Sequence, residues 1–487
     1  MLSLLLTQLA ANSPTVRLDA RFEPLANLVY QLDMVSGFLP YSKSAVISNL
    51  WTERIATNPD DTKFLDQWKQ TMRKLETKGQ GDYNPRLLYS AATIQSEAEK
   101  TREIGLTASS LLDFSKRVAK EVDPQAAKEL SSVIAHFQPA FLNWWNQEAE
   151  PKGTDFRVKA DKLLKSEKLI SLTKDLVRFY QPELPDGYIV PVQFIYKPKA
   201  REGSHGEQVG TAAVMEFFEG ESPANRIDVT MHELSHFFFR KAGVAKHEAL
   251  TARFQKVKDQ SAMAVFAIMN EALATALNNG MVAEALMDAK SFKEYRDAPL
   301  SWYFNDSIDT TAKSSYDWLV RYAKQGGTLH DPEFAKTYVE TIRAGMGSKV
   351  DAPSVQLFGV NYVWDEQWPK EMGFMPREFI QNTVSSRYSA TNVAEALRMA
   401  LQNSPMCSTL LVLRPNQIVA VAKHQPLLAK HAAALQAKAA KDGSALMGTR
   451  LSTGLALYVI VASDIPGVQQ ELKRLAALKQ DLAGILP

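Results

Sequence analysis

Between about residues 16 and 180 the apolar positions recur at spacings of three and four with few β-branched runs, and residues 108–145 are a representative sample. That period predicts amphipathic helices. Breaks at Asp123-Pro124 and at Pro151-Lys152-Gly153 divide the run into helix pairs. The period changes after QPELPDG at residues 181–187. YIVPVQFIY (188–196) and VGTAAVMEFF (209–218) read as strands, and the turn-rich KPKAREGSHGEQ between them predicts an antiparallel hairpin. Pro191 has no amide hydrogen to give a ladder, so its strand is expected at a sheet edge.

Two helices follow, at about 227–242 and 261–278, and then a mostly helical stretch to about residue 388. The tail alternates a helix (392–402), a strand (409–413), an Ala/Lys-rich helix (427–440), a strand (455–462) and a last helix (468–482), the pattern of a small α/β unit. The fold class expected is α+β and mostly helical. Its parts are a helical N-terminal lobe (1–181), a domain with an antiparallel edge hairpin (182–389) and the small α/β C-terminal unit (390–487). A length of 487 residues is enough for about three domains.

Composition narrows the chemistry. Lys+Arg number 56 against 54 Asp+Glu, and this balance gives no electrostatic case for nucleic acid as a partner. One cysteine, Cys407, excludes an intrachain disulfide and any cysteine-built metal site, so metal chemistry has to use His and carboxylates. No apolar run exceeds eight residues, the length of 455–462, where a transmembrane helix needs about 20. The start, MLSLLLTQLAA, resembles the apolar core and cleavage zone of a secretory signal but lacks its basic beginning. It reads either as part of an export signal, which would make the protein secreted or periplasmic, or as the apolar face of a first helix of a cytoplasmic one.

The informative segment is TMHELSHFFFR at 230–240, which contains His232-Glu233-Leu234-Ser235-His236. On a helix, residues four apart stand about 40° apart in angle and about 6 Å apart in rise. Both imidazoles therefore project from one face and are able to share an ion, with Glu233 beside them as a base for water. Ile227, Met231, Leu234, Phe238 and Ala242 fall together on a separate apolar back, and Gly243 is placed to end the helix. Phe237-Phe238-Phe239 and Trp144-Trp145 read as core packing. Ser235, with no nucleophile turn around it, reads as inert.

With 8 His in the chain, HExxH arises by chance in about one such chain in a hundred, so a third ligand is needed. His247 would imitate the metzincin pattern, in which the glycine and third histidine come sooner; Glu248 lies on an expected solvated turn. Glu271 is the strongest candidate. It is the lone charged residue between Asp259 and Glu284, within SAMAVFAIMNEALATALNNG. A carboxylate on so apolar a helix needs a cation partner or a proton.

At this point the sequence resembles the gluzincin metallopeptidases, whose HExxH helix supplies two His and whose next long helix supplies a Glu in an Asn-Glu-x-x-Ala context, here Asn270-Glu271-Ala272-Leu273-Ala274. The resemblance covers roughly residues 188–280. It implies a zincin-like domain, Zn2+ held by His232, His236 and Glu271, Glu233 as general base, and a peptide or protein substrate. Many gluzincins carry an Asp four residues after the Glu ligand to orient a zinc-bound His; here that place is Thr275, so a hydroxyl or a carboxylate from elsewhere must serve. The family also implies an edge strand that holds substrate, for which the small run Gly210-Thr211-Ala212-Ala213 is the candidate. It implies a downstream oxyanion stabiliser as well, for which Tyr316, Tyr322, His330, Tyr338, Tyr362, Arg387 and Tyr388 stay open. Two other functions remain in view: a zincin-fold binding or scaffold protein without turnover, and a metal-dependent hydrolase of a non-peptide bond.

Overall fold

The computed structural model describes residues 13–39, 44–76, 95–199, 202–380, 384–480 and 482–487; the signal-like segment lies outside them. The chain is mixed α/β and mostly helical, with two mixed sheets. Among the described residues it forms two compact units, one of 13–76, 95–242 and 277–288, the other of 243–276 and 289–487. No helix is long and apolar enough to cross a membrane.

Up to Tyr180 the described residues of the first unit are helical, as their periodicity predicts, except at the start. Residues Val16–Arg21, read as helix, form strand β1. Their inward positions Leu18 and Ala20 alternate with polar Arg17, Asp19 and Arg21, a period of two that is easily lost beside a long helical run. After it comes a series of helices, of which α1 (Pro24–Val35) is the first and α2 (Glu167–Tyr180) the last before strands β2 (Tyr188–Lys197), β3 (Gly206–Val209) and β4 (Ala212–Phe218). They make a sheet of order β1-β2-β4-β3.

The expected antiparallel hairpin of 188–196 with 209–218 is not formed. Strands β2 and β4 are parallel, from Val192 opposite Ala213 to Lys197 opposite Phe218. The chain instead passes beyond β4, runs back as β3, and turns tightly through Gly210 and Thr211 into β4, so the hairpin is β3–β4. Gly210 takes φ 56° in that turn, and the Thr211 amide and hydroxyl donate to Glu103. Pro191 stands opposite Asp19 of β1, below the point where β4 joins, so the strand has a neighbour on one side only there. This reconciles an imino acid with a strand that is central further on.

Helix α1 buries ten of its twelve residues, so its polar side chains must be satisfied internally. Asn27 spans the backbone of β2, donating to the Phe194 carbonyl and accepting from the Tyr196 amide. Gln31 accepts from the Trp51 indole, and Asp33 accepts from Trp68 and from Arg102. Trp144 and Trp145 are buried among aromatic neighbours, as read from sequence.

The second unit holds a six-stranded sheet of order β10-β8-β9-β7-β5-β6, with β5 (Val360–Asp365), β6 (Val384–Ala390), β7 (Thr409–Leu413), β8 (Ser444–Arg450), β9 (Ala456–Ala462) and β10 (Gly484–Ile485). Strands β6, β5, β7 and β9 are parallel, and β8 is antiparallel to β9 and β10. Apolar cores cover both faces. Parallel strands buried on both faces read as short apolar runs, which a single-sequence pattern does not separate from buried helix. That applies to β5, which lies in a stretch read as helix although it is buried at every position; β6 is polar and partly exposed and β8 has only the short apolar run 445–447, so neither stands out, while 409–413 and 456–462 do.

Candidate metal centre

Helix α3 (Ile227–Arg240) carries the HExxH segment. Ile227, Met231, Leu234 and Phe238 are fully buried, the apolar back expected from the wheel, and Phe237 and Phe239 are core as well. Gly243, at φ 89°, turns the chain just beyond the helix end. On the opposite face the Nε2 atoms of His232 and His236 stand 3.0 Å apart, with the rings at 79° to one another. The i,i+4 spacing has done what its geometry allows: two ring nitrogens aim at one point.

Glu271 lies on α4 (Ala262–Ala274), whose residues are buried except at Ala267 and Glu271, one turn apart. The residue is therefore partly accessible rather than sealed in an apolar helix, although its Oε2 is buried. One ligand atom from each of His232, His236 and Glu271 lies within 4.8 Å of the others, and among the described residues no other three His, Cys, Asp or Glu come so close. Neither His247 nor Glu248, on the helix Val244–Lys256, belongs to the group. Two imidazoles and one carboxylate are a donor set of the type and number that a tetrahedral zinc site with one open position takes.

Continuing α4, Thr275–Gly280 forms a π-helical turn before helix α5 (Met281–Leu286). The buried Thr275 hydroxyl makes no hydrogen bond, so it does not orient a histidine. That partner is Asn279, whose Oδ1 stands 3.0 Å from Nδ1 of His232. The Asn279 amide nitrogen donates in turn to Asp228 Oδ2 at 3.3 Å, and the Val229 amide donates to Asp228 Oδ1. Burial raises the Asp228 carboxyl above its usual range, against the pull of those two hydrogen bonds. Neighbouring Asn278 donates to Ser235, which is wholly buried. Ser235 thus ties α3 to the turn that carries Asn278.

Sequence reasoning missed Asn279 and Asp228. The signal was present as two adjacent amides at the end of an apolar helix and an acid four residues before His232. It also misplaced the exposed strand edge. Ala212 and Ala213 are fully buried on β4, between β2 and β3, and the edge strand on that side of the sheet is β3. At Gly206 of β3 an added Cβ would stand 2.8 Å from Val229 Cγ1 and 3.4 Å from Glu233 Oε1, so this strand's backbone passes close over the face of α3 that carries Glu233.

The oxyanion candidates sit in the second unit's own packing. Tyr316 packs on Trp302 and Tyr338 on Phe334, while Tyr322 donates to Asp331. His330 accepts from Arg253 through its carbonyl, and Tyr362 stacks on Trp364. Arg387 covers Phe374, and Tyr388 bonds Ser404. Comparison of the chain with protein families, with curated proteins and with solved structures finds no match in any of the three.

Proposed function

We propose that the chain is a zinc-dependent metallohydrolase, a peptidase with a zincin-like arrangement, in which His232, His236 and Glu271 hold the ion. The observation that carries this reading is the convergence of the two Nε2 atoms at 3.0 Å with a carboxylate oxygen inside the same 4.8 Å group. Zinc bound there would supply Lewis acidity, lowering the pKa of a water and polarising a carbonyl. Glu233 stands next to His232 on the same helix and is nearly buried. Its carboxylate takes the proton of the attacking water and returns it to the leaving amine. The edge strand β3 supports a peptide as substrate, since an extended chain laid along it gains main-chain hydrogen bonds beside the base.

The test is Glu233→Gln. The amide keeps the shape of the side chain and cannot take a proton, so zinc content should stay at the wild-type level while cleavage of a peptide library falls by about 10²-fold or more. Peptide cleavage retained in this variant would remove Glu233 from the mechanism. Zinc retained in a wild type that cleaves esters but no peptide would move the reading to a non-peptide bond.

A further inference from the structure

We infer that Asp228 and Asn279 are a positioning pair that sets the tautomer of His232, holding its proton on Nδ1 and its Nε2 lone pair towards the point shared with His236. This rests on the reading of His232 as a metal ligand. Each link is fixed by what its neighbour is able to do. Both oxygens of Asp228 accept, Oδ1 from the Val229 amide and Oδ2 from Asn279. A carboxylate that accepts at both oxygens forces the Asn279 amide to turn its nitrogen towards it. Oδ1 of Asn279 is then the atom that faces Nδ1 of His232, at 3.0 Å. An amide oxygen only accepts, so Nδ1 carries the hydrogen and Nε2 carries the lone pair. A free imidazole samples both tautomers, and only this one is a ligand through Nε2.

The backbone explains how Asn279 comes to be there. In an unbroken α-helix Asn279, eight residues after Glu271, would stand about 80° round the axis from it. The turn Thr275–Gly280 is π-helical, with about one more residue per turn, and this winds Asn279 back towards the face of Glu271. In the same turn Asn278 bonds Ser235, which fixes the turn against α3 from the other side of His232. The place of the usual acid, Thr275, points its hydroxyl at no partner. A neutral amide backed by an acid replaces a carboxylate in direct contact, so orientation is kept without a full negative charge beside the ligand.

Two readouts test this, neither of which needs turnover. The first is Zn2+ affinity by competition with a chromophoric chelator. Asn279→Leu should weaken it by about 10–100-fold, the usual cost of removing such a partner. The exchange Asp228→Asn with Asn279→Asp reverses donor and acceptor in the first link and keeps an acceptor against Nδ1, so it should recover most of that loss. A merely structural role does not predict rescue by the swap. The second readout is the two-bond 15N–1H correlation of histidine side chains in metal-free protein, with the His232 signals assigned by their loss in His232→Gln. Wild type and swap should show the Nδ1-protonated pattern and Asn279→Leu a mixture. An unchanged His232 tautomer in Asn279→Leu, or a swap as weak as that variant in a folded protein, overturns the pair's role. Absence of Zn2+ binding in the wild type overturns the zinc reading instead, and the tautomer spectra still decide on Asp228 and Asn279.

Discussion

Gly206→Ala probes the approach of strand β3 to helix α3, on which substrate placement depends. The added methyl would meet Val229 Cγ1 at 2.8 Å and Met215 Cε at 3.0 Å, with Glu233 Oε1 at 3.4 Å. The methionine end is flexible and yields at little cost, but a valine methyl has few rotamers to retreat into. Strand and helix must therefore part by a few tenths of an ångström, or Val229 must leave its rotamer. Overpacking of this kind costs about 1–3 kcal/mol of stability. Val229 and Glu233 are one turn apart on α3, so the same shift moves the strand edge relative to the base, and a displacement of this size lowers kcat by roughly tenfold. Zinc content should not change, because the methyl's three nearest neighbours do not include His232, His236 or Glu271. Denaturant unfolding, elemental analysis and peptide turnover are to be measured on the single variant and on Gly206→Ala with Val229→Ala. The second substitution makes room for the first, so turnover should recover in the double variant. Unchanged turnover in a Gly206→Ala protein that is measurably destabilised would refute the role given to β3.

Other predictions concern the buried charges under the first sheet. Burial raises the Asp33 carboxyl to about 6 from 3.8, despite Arg102 and the Trp68 indole. A raised carboxyl gives stability that is present below about pH 4 and lost as pH rises through about 6, and a shift of this size is worth about 3 kcal/mol. Asp33→Asn, which keeps an acceptor for Trp68, should flatten the fall in unfolding free energy between pH 4 and pH 7 by about that amount; an unaltered slope would assign the effect elsewhere. Arg102 bridges Asp33 and Glu207, so Arg102→Met should cost about 3–5 kcal/mol and cost more at pH 8 than at pH 5, where Asp33 is able to take up a proton. Equal losses at the two pH values in urea titrations would contradict this.

How much of this was readable beforehand depended on whether a feature is local. The helix carrying His232 and His236 was legible because the spacing of its apolar residues and of its histidines both follow from 3.6 residues per turn. Glu271 was legible because a lone charge on an apolar helix needs a reason. The path of the sheet was not. Strands 188–197 and 212–218 have the same alternation whether they pair directly or with β3 laid beyond them, and β3, four residues with one apolar position, is too short to announce itself. Strand β5 hid for a related reason, since VNYVWD is buried at every position and has no period. Asn279 was illegible because it is placed by a π-helical turn, and extrapolation at 100° per residue puts it on another face.

The central claim is a three-ligand ion site at His232, His236 and Glu271. Its most direct test is the zinc content of purified wild type beside Glu271→Ala, by elemental analysis after dialysis against a weak chelator. About one zinc per wild-type chain, lost in the variant, is the expected result. A wild type that holds no zinc and takes none up on reconstitution, or a variant that keeps its full complement, would contradict it.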